Sequence, residues 1–215
     1  MTQEQDQLHA MRHSLAHITA TAVRHLWPHA KFGVGPVVEN GFYYDIDLGD
    51  TTISEDNFGK IEKEMKKIIA QNQTFECNEK SIADAISWAT ENGQPYKQEL
   101  LNDLSRAGTT VAKDLDADEL GTITDGDSKV ENVSFYTNGD FTDLCRGPHV
   151  ERTGKVGAFK LMRVAGAYWR GKEGNPQMQR LYGVAFETQD ELDKYLEMLK
   201  LAKERDHRKL GKELD

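Results

Sequence analysis

Residues 34–48 read V-G-P-V-V-E-N-G-F-Y-Y-D-I-D-L. Asn40-Gly41 predicts a type I′ hairpin turn, because both central positions of that turn need positive φ. After it, Phe42, Tyr44, Ile46 and Leu48 alternate with Tyr43, Asp45 and Asp47. That period of two marks a half-buried strand. Gly33, Gly35 and Pro36 interrupt the first arm, which predicts a bulge or a close backbone approach to a ligand, the bulge being preferred.

Helical periods surround this hairpin. In residues 5–27, Leu8, Met11, Leu15, Ile18, Ala22 and Leu26 form one apolar stripe that ends before Pro28. Ser54 caps a second helix, with Phe58, Ile61, Met65 and Ile68 on one face. A short strand fits residues 74–79. Ser81 with Asp84 opens a third helix that Asn92-Gly93 closes, and 97–104 suggest a further helical turn or two.

Residues 130–145 return to strand character around Asn138-Gly139, and 156–187 predict a long hairpin turning at 171–176. Thr188 with Glu191 forms a capping box for a final helix carrying Leu192, Tyr195, Leu196, Leu199 and Ala202 on its apolar face. The expected fold is α+β, a mostly antiparallel sheet with packed helices. Residues 1–187 are read as the domain and 188–215 as a helix leading toward a partner. The polar, acidic stretch 108–129 is read as an excursion, its Asp125-Gly126-Asp127 a weak calcium cue without the expected closing Glu.

The 215 residues are 38% hydrophobic and 29% charged, in the range of soluble globular chains. No apolar run approaches the roughly 20 residues needed to span a bilayer. The polar start M-T-Q-E-Q-D-Q is not a secretory signal, and two cysteines make no disulfide framework, so a reducing cytoplasm is expected. A net charge of −9 argues against a non-specific nucleic-acid binder. Residues 152–180 are the exception, with seven Lys or Arg against Glu173 alone. Such a strip can meet a phosphate backbone, or acids elsewhere in the fold can neutralise it.

Four side chains carry the chemistry. His13 and His17 lie at i, i+4 in M-R-H-S-L-A-H; Cys145 and His149 have the same spacing in D-L-C-R-G-P-H-V. At about 100° per residue the first two share a face roughly opposite the apolar stripe, so they face water or a second layer. Gly147-Pro148 excludes a helical turn for the second pair, which sits on a rigid loop. Three His and one Cys can complete a zinc tetrahedron, and an open position would activate water. Without metal, the imidazoles can hold and deprotonate a water that attacks an ester or amide carbonyl. Cys145 is a further candidate nucleophile if Arg146 favours its thiolate, or it shapes the pocket.

R-H-S-L-A-H, G-V-G-P-V-V-E-N-G-F-Y-Y-D, D-L-C-R-G-P-H-V, A-G-A-Y-W-R-G and R-D-H-R-K-L-G-K-E-L-D occur in that order. Over residues 11–215 the chain resembles the editing domain of bacterial threonyl-tRNA synthetases. The alanyl enzymes share the H-x-x-x-H and C-x-x-x-H frame. The resemblance implies hydrolysis of the ester joining serine to the 3′-terminal adenosine of tRNA(Thr). One methyl is worth only about 1–3 kcal/mol of discrimination, so a site built for threonine admits some serine.

By the same resemblance, His13 is general base or water anchor and Lys97, in Q-P-Y-K, its electrostatic or proton-transfer partner. His17, Cys145 and His149 line the pocket. Asp143 would hold the seryl ammonium; Tyr44, Gly35 and Pro36 would contact the substrate. The threonyl version implies ordered water and no cofactor, the alanyl version zinc on His13, His17, Cys145 and His149. The implied partners are the acceptor end of tRNA(Thr) carrying serine and the aminoacylation domain of the full-length synthetase, with no membrane. The stretch 108–129 is longer than the family pattern suggests. A small N-terminal domain and the aminoacylation and anticodon-binding domains fall outside this sequence, so it is not expected to charge tRNA by itself. The alternatives are a zinc-dependent alanyl-type deacylase and a non-catalytic tRNA-binding module.

Overall fold

A computed structural model describes the backbone of residues 3–107 and 130–213, with side chains described up to residue 205. The acidic stretch 108–129 and its Asp-Gly-Asp cue lie outside the described residues. The chain is α+β, as its periodicities predict. The first helix, α1 (Gln3–Leu26), is followed by β1 (Lys31–Phe32), β2 (Val37–Val38), β3 (Gly41–Asp47), α2 (Phe58–Ala70), β4 (Glu76–Ser81), α3 (Ile82–Glu91) and α4 (Pro95–Ala107). After the undescribed stretch come β5 (Asn132–Asn138), β6 (Phe141–Leu144), β7 (Ala158–Tyr168), β8 (Gln177–Phe186) and α5 (Gln189–Glu213).

Two antiparallel sheets result. One runs β1-β3-β8-β7 with β2 also on β3; the other runs β4-β5-β6. The bulge expected in the first arm is present. From Phe32 to Val37 the chain carries one residue more than from Ile46 to Phe42 opposite. Asp45 is shared there: its carbonyl accepts from Gly33 N and its N–H donates to the Val34 carbonyl.

The expected type I′ turn is absent. Val38 pairs with Gly41, so the loop is Glu39-Asn40, and neither Asn40 nor Gly41 has positive φ. Gly41 serves another purpose: a Cβ there would collide with the Gly183 carbonyl of β8. In the second sheet Asn138 pairs with Phe141, and Gly139 does take φ +58.

Two of the three predicted helix starts are capped as expected; Ser54 instead precedes a 3-10 turn over Glu55–Asn57, and α2 begins after Asn57 without a side-chain cap bond. Ser81 Oγ accepts from Asp84 N, and Gly93 turns left-handed after α3. Thr188 and Glu191 bond reciprocally at the start of α5. Leu192 of α5 is buried, Tyr195, Leu196 and Leu199 are partly so, and Ala202 is exposed. Helix α1 departs from a one-sided amphipathic helix. Every residue from Ala10 to Val23 is buried, because the helix is covered on the His face as well as on its apolar stripe. One core joins α1, α2 and the larger sheet through Leu15, Ile18, Phe42, Ile46 and Ile61. A second joins α3, α4 and the smaller sheet through Ala85, Leu100, Leu104 and Phe135, with Trp169 and Met178 from the long hairpin.

Candidate active site

The four sequence-selected residues converge. One ligating atom from each of His13, His17, Cys145 and His149 lies within 4.8 Å of the others. Cys145 Sγ is 3.3 Å from His13 Nε2 and 3.2 Å from His149 Nε2. The His13 ring is centred 5.3 Å from His17 and 4.2 Å from His149. The layer over the His face is therefore the loop after β6, joined by Phe75, which stacks on His149 at 4.9 Å, and by Phe141 beside His17. Gly147 takes φ +76 in that loop, and its N–H donates to Cys145 Sγ.

A second polar group adjoins the cluster. Lys97 Nζ lies 2.7 Å from Asp143 Oδ1, and the Tyr44 hydroxyl donates to Asp143 Oδ2. His17 Nε2 is 4.0 Å from that same oxygen. Tyr44, Lys97 and Asp143 are all buried. Gly35 sits beneath this group: a Cβ there would collide with the Tyr44 ring. Pro36 is buried beside it and accepts from Tyr43 N through its carbonyl. At Gly33, by contrast, a Cβ would meet Asp45, Met178 and Trp169, each at 3.0 Å.

Helix α4, which carries Lys97, is held from outside by the A-G-A-Y-W-R-G stretch. Trp169 Nε1 donates to Glu99 at 2.9 Å, and Arg170 reaches Asp103 at 2.6 Å and Glu99 at 3.1 Å. Arg170 adopts φ +55, a left-handed conformation uncommon for a side-chain-bearing residue. Tyr96 of the same helix donates to Asp47 at 2.7 Å.

Burial governs the protonation states. It pulls His13 down to about 4, with His9 adding to the effect. It holds His17 and His149 well below the usual imidazole range, where neighbouring histidines act in the same direction. All three are neutral near pH 7. Burial likewise pushes the Cys145 thiol up, with Asp143 reinforcing the shift against Gly147 N–H and Lys97. Burial thus favours the neutral thiol at Cys145, which fits the pocket-shaping alternative better than the nucleophile.

The donor set also fits a metal. Tetrahedral zinc with Zn–N of about 2.0 Å and Zn–S of about 2.3 Å places N and S about 3.5 Å apart. The observed S···N separations of 3.3 and 3.2 Å are close to that. His17 Nδ1 is buried and without a hydrogen-bond partner among the described residues, so a donor is free for a metal or a water.

Sequence reasoning passed over Ser14 and Phe75. Ser14 lies between the paired histidines, and its i, i+4 relation to Ala10 was a legible signal. Phe75 carried none. Acids outside the basic strip neutralise part of it: Lys160 pairs with Glu62 at 3.0 Å, Arg170 with Asp103 and Glu99, Arg180 with Asp45 at 2.7 Å.

Residues 133–182 match the family model described as the threonyl and alanyl tRNA synthetase second additional domain. The chain is 47% identical over 206 residues to the threonine–tRNA ligase of Acetivibrio thermocellus, covering 96% of this chain and 29% of that protein. It is 46% identical over 214 residues to that of Desulfosudis oleivorans, covering 100% of this chain and 29% of the relative. It is 49% identical over 208 residues to that of Anoxybacillus flavithermus, covering 97% and 29%. Nearly the whole chain is therefore similar to one part of the threonine–tRNA ligases of the threonyl-tRNA synthetase family. It carries that family's second additional domain, a synthetase editing module, and spans less than a third of these relatives' length. Among the described residues no helix is long and apolar enough to cross a membrane.

Proposed function

We propose that this module hydrolyses the ester of seryl-tRNA(Thr) by attack of a water held in the His/Cys pocket. The observation that carries the reading is the juxtaposition of a buried, neutral imidazole cluster with the Lys97–Asp143–Tyr44 group at its edge. Asp143 retains acceptor capacity beyond Lys97 and Tyr44, enough for the seryl ammonium. That anchors the amino acid with its ester carbonyl toward the histidines.

His13 holds the water through a ring nitrogen. With a pKa of about 4 it is a weak base, which favours water anchor over full proton acceptor. In this reading the Lys97 ammonium stabilises negative charge on the carbonyl oxygen as the water adds. The C–O bond to the ribose then breaks, the ribose oxygen takes a proton, and serine leaves as its carboxylate. A pocket too small for one extra methyl spares the threonyl ester, within the roughly 1–3 kcal/mol such a group provides. The partners are the serine-charged acceptor end and the remainder of a full-length synthetase.

The clustering of four donors within 4.8 Å favours one second reading, zinc held by His13, His17, Cys145 and His149. Bound zinc would lower the pKa of a coordinated water. The test compares deacylation of Ser-tRNA(Thr) and Thr-tRNA(Thr) by wild type, His13→Ala and Lys97→Met, each with and without chelator. Selective loss of serine, slowed about 10²- to 10⁴-fold in the variants, is expected. Unchanged rates in both variants, with tRNA still bound, would leave a non-catalytic tRNA-binding module.

A further inference from the structure

Ser14 is fully buried on α1 and belongs to none of the roles above. Its Oγ lies 2.7 Å from the Ala10 carbonyl, 3.0 Å from Val150 N and 3.1 Å from His149 Nδ1. We propose that Ser14 is a positioning residue that holds His149 in the Nδ1–H tautomer and directs its Nε2 lone pair at the Cys145 thiol.

The assignment follows from counting protons. A serine hydroxyl has one proton and two lone pairs. The shortest contact, to Ala10 O, takes the proton; Thr19 and Thr21 on the same helix make the same bond to the carbonyl four residues back, at 2.8 Å each. Val150 N–H can only donate, so it occupies one lone pair. The remaining lone pair faces His149 Nδ1, which must then carry the hydrogen. Its Nε2, 3.2 Å from Cys145 Sγ, is left as an acceptor for the thiol proton. Phe75 and Tyr136, with ring centres 4.9 and 4.5 Å away, fix the plane of the imidazole but cannot choose its tautomer. Ser14 thereby ties α1 to the catalytic loop and sets which face of His149 accepts. The same lone pair serves a water or a metal once the thiol no longer donates to it, His13 Nε2 being the other ring nitrogen within reach of Sγ at 3.3 Å.

The catalytic consequence rests on the hydrolase reading; the tautomer does not. Nitrogen-15 NMR of the histidine-labelled chain reads the tautomer directly, beside single-turnover deacylation of Ser-tRNA(Thr). Wild type should show a protonated Nδ1 and a bare Nε2 on His149. Ser14→Ala should mix the two tautomers and lower kcat about 10- to 100-fold with KM little changed, in the range of orienting hydrogen bonds. A wild-type His149 protonated at Nε2 would overturn the proposal even if the variant fails to fold. So would a Ser14→Ala chain with wild-type kcat. A wild type with the Nδ1–H tautomer but no deacylation would sink the hydrolase reading and leave the Ser14–His149 lock standing.

Discussion

Lys97 Nζ and Asp143 Oδ1 stand 2.7 Å apart with side chains only 3% and 4% exposed, one from α4 and one from β6. Two buried opposite charges lose hydration that only a close, well-bonded partner restores. Removing either leaves the other uncompensated. Asp143→Ala and Lys97→Met are each expected to lower unfolding free energy by about 3–5 kcal/mol. The double variant should cost less than the sum of the two. Urea midpoints of the three chains check this, and strict additivity would show that the pair is not coupled.

Arg170 does not touch the pocket, yet it braces the helix that carries Lys97. Its side chain is 8% exposed and reaches Asp103 and Glu99. Arg170→Ala should destabilise by about 2 kcal/mol, below the fully buried case because Glu99 is half exposed. Faster amide exchange should be confined to α4, and deacylation should fall without any change at the histidines. Wild-type exchange in α4 would refute the bracing role.

Acid should weaken the fold before most carboxylates titrate. Burial holds His13, His17 and His149 below the ordinary imidazole value of about 6.5, His13 at about 4. As pH falls through 6.5 the unfolded chain takes up protons that the native chain refuses. The stability from keeping these rings neutral is therefore full above about 6.5 and declines toward 4. Denaturation midpoints at pH 7.5 and 5.0 should differ, and His149→Asn should reduce the difference. A flat profile between those pH values would contradict the buried, neutral assignment.

The water-based reading expects Ser-tRNA(Thr) deacylation to survive exhaustive chelation. Elemental analysis of the purified chain should then find less than one zinc per molecule. Activity lost on chelation and restored by one equivalent of zinc would transfer the site to the metal reading, with the same four residues as ligands.

Much of this molecule was legible locally. The caps at Ser81 and Thr188, the strand alternation through Phe42–Leu48 and the shared face of His13 and His17 depend on contacts within about four residues, which spacing alone encodes. The pairing of Asn40-Gly41 misled because the glycine answers a steric demand from β8, not a turn. Long-range packing decided the rest. Sequence spacing put two histidines on one helix face; only the fold laid Cys145, His149 and Phe75 over it and made the face interior. It also set Lys97 against Asp143 and Arg170 against Asp103, pairs whose residues lie far apart along the chain. The residue types by themselves suggested zinc or water. The tertiary burial that empties the surroundings of solvent is what keeps the imidazoles neutral and the Cys145 thiol protonated, because a low-dielectric interior penalises every unpaired charge.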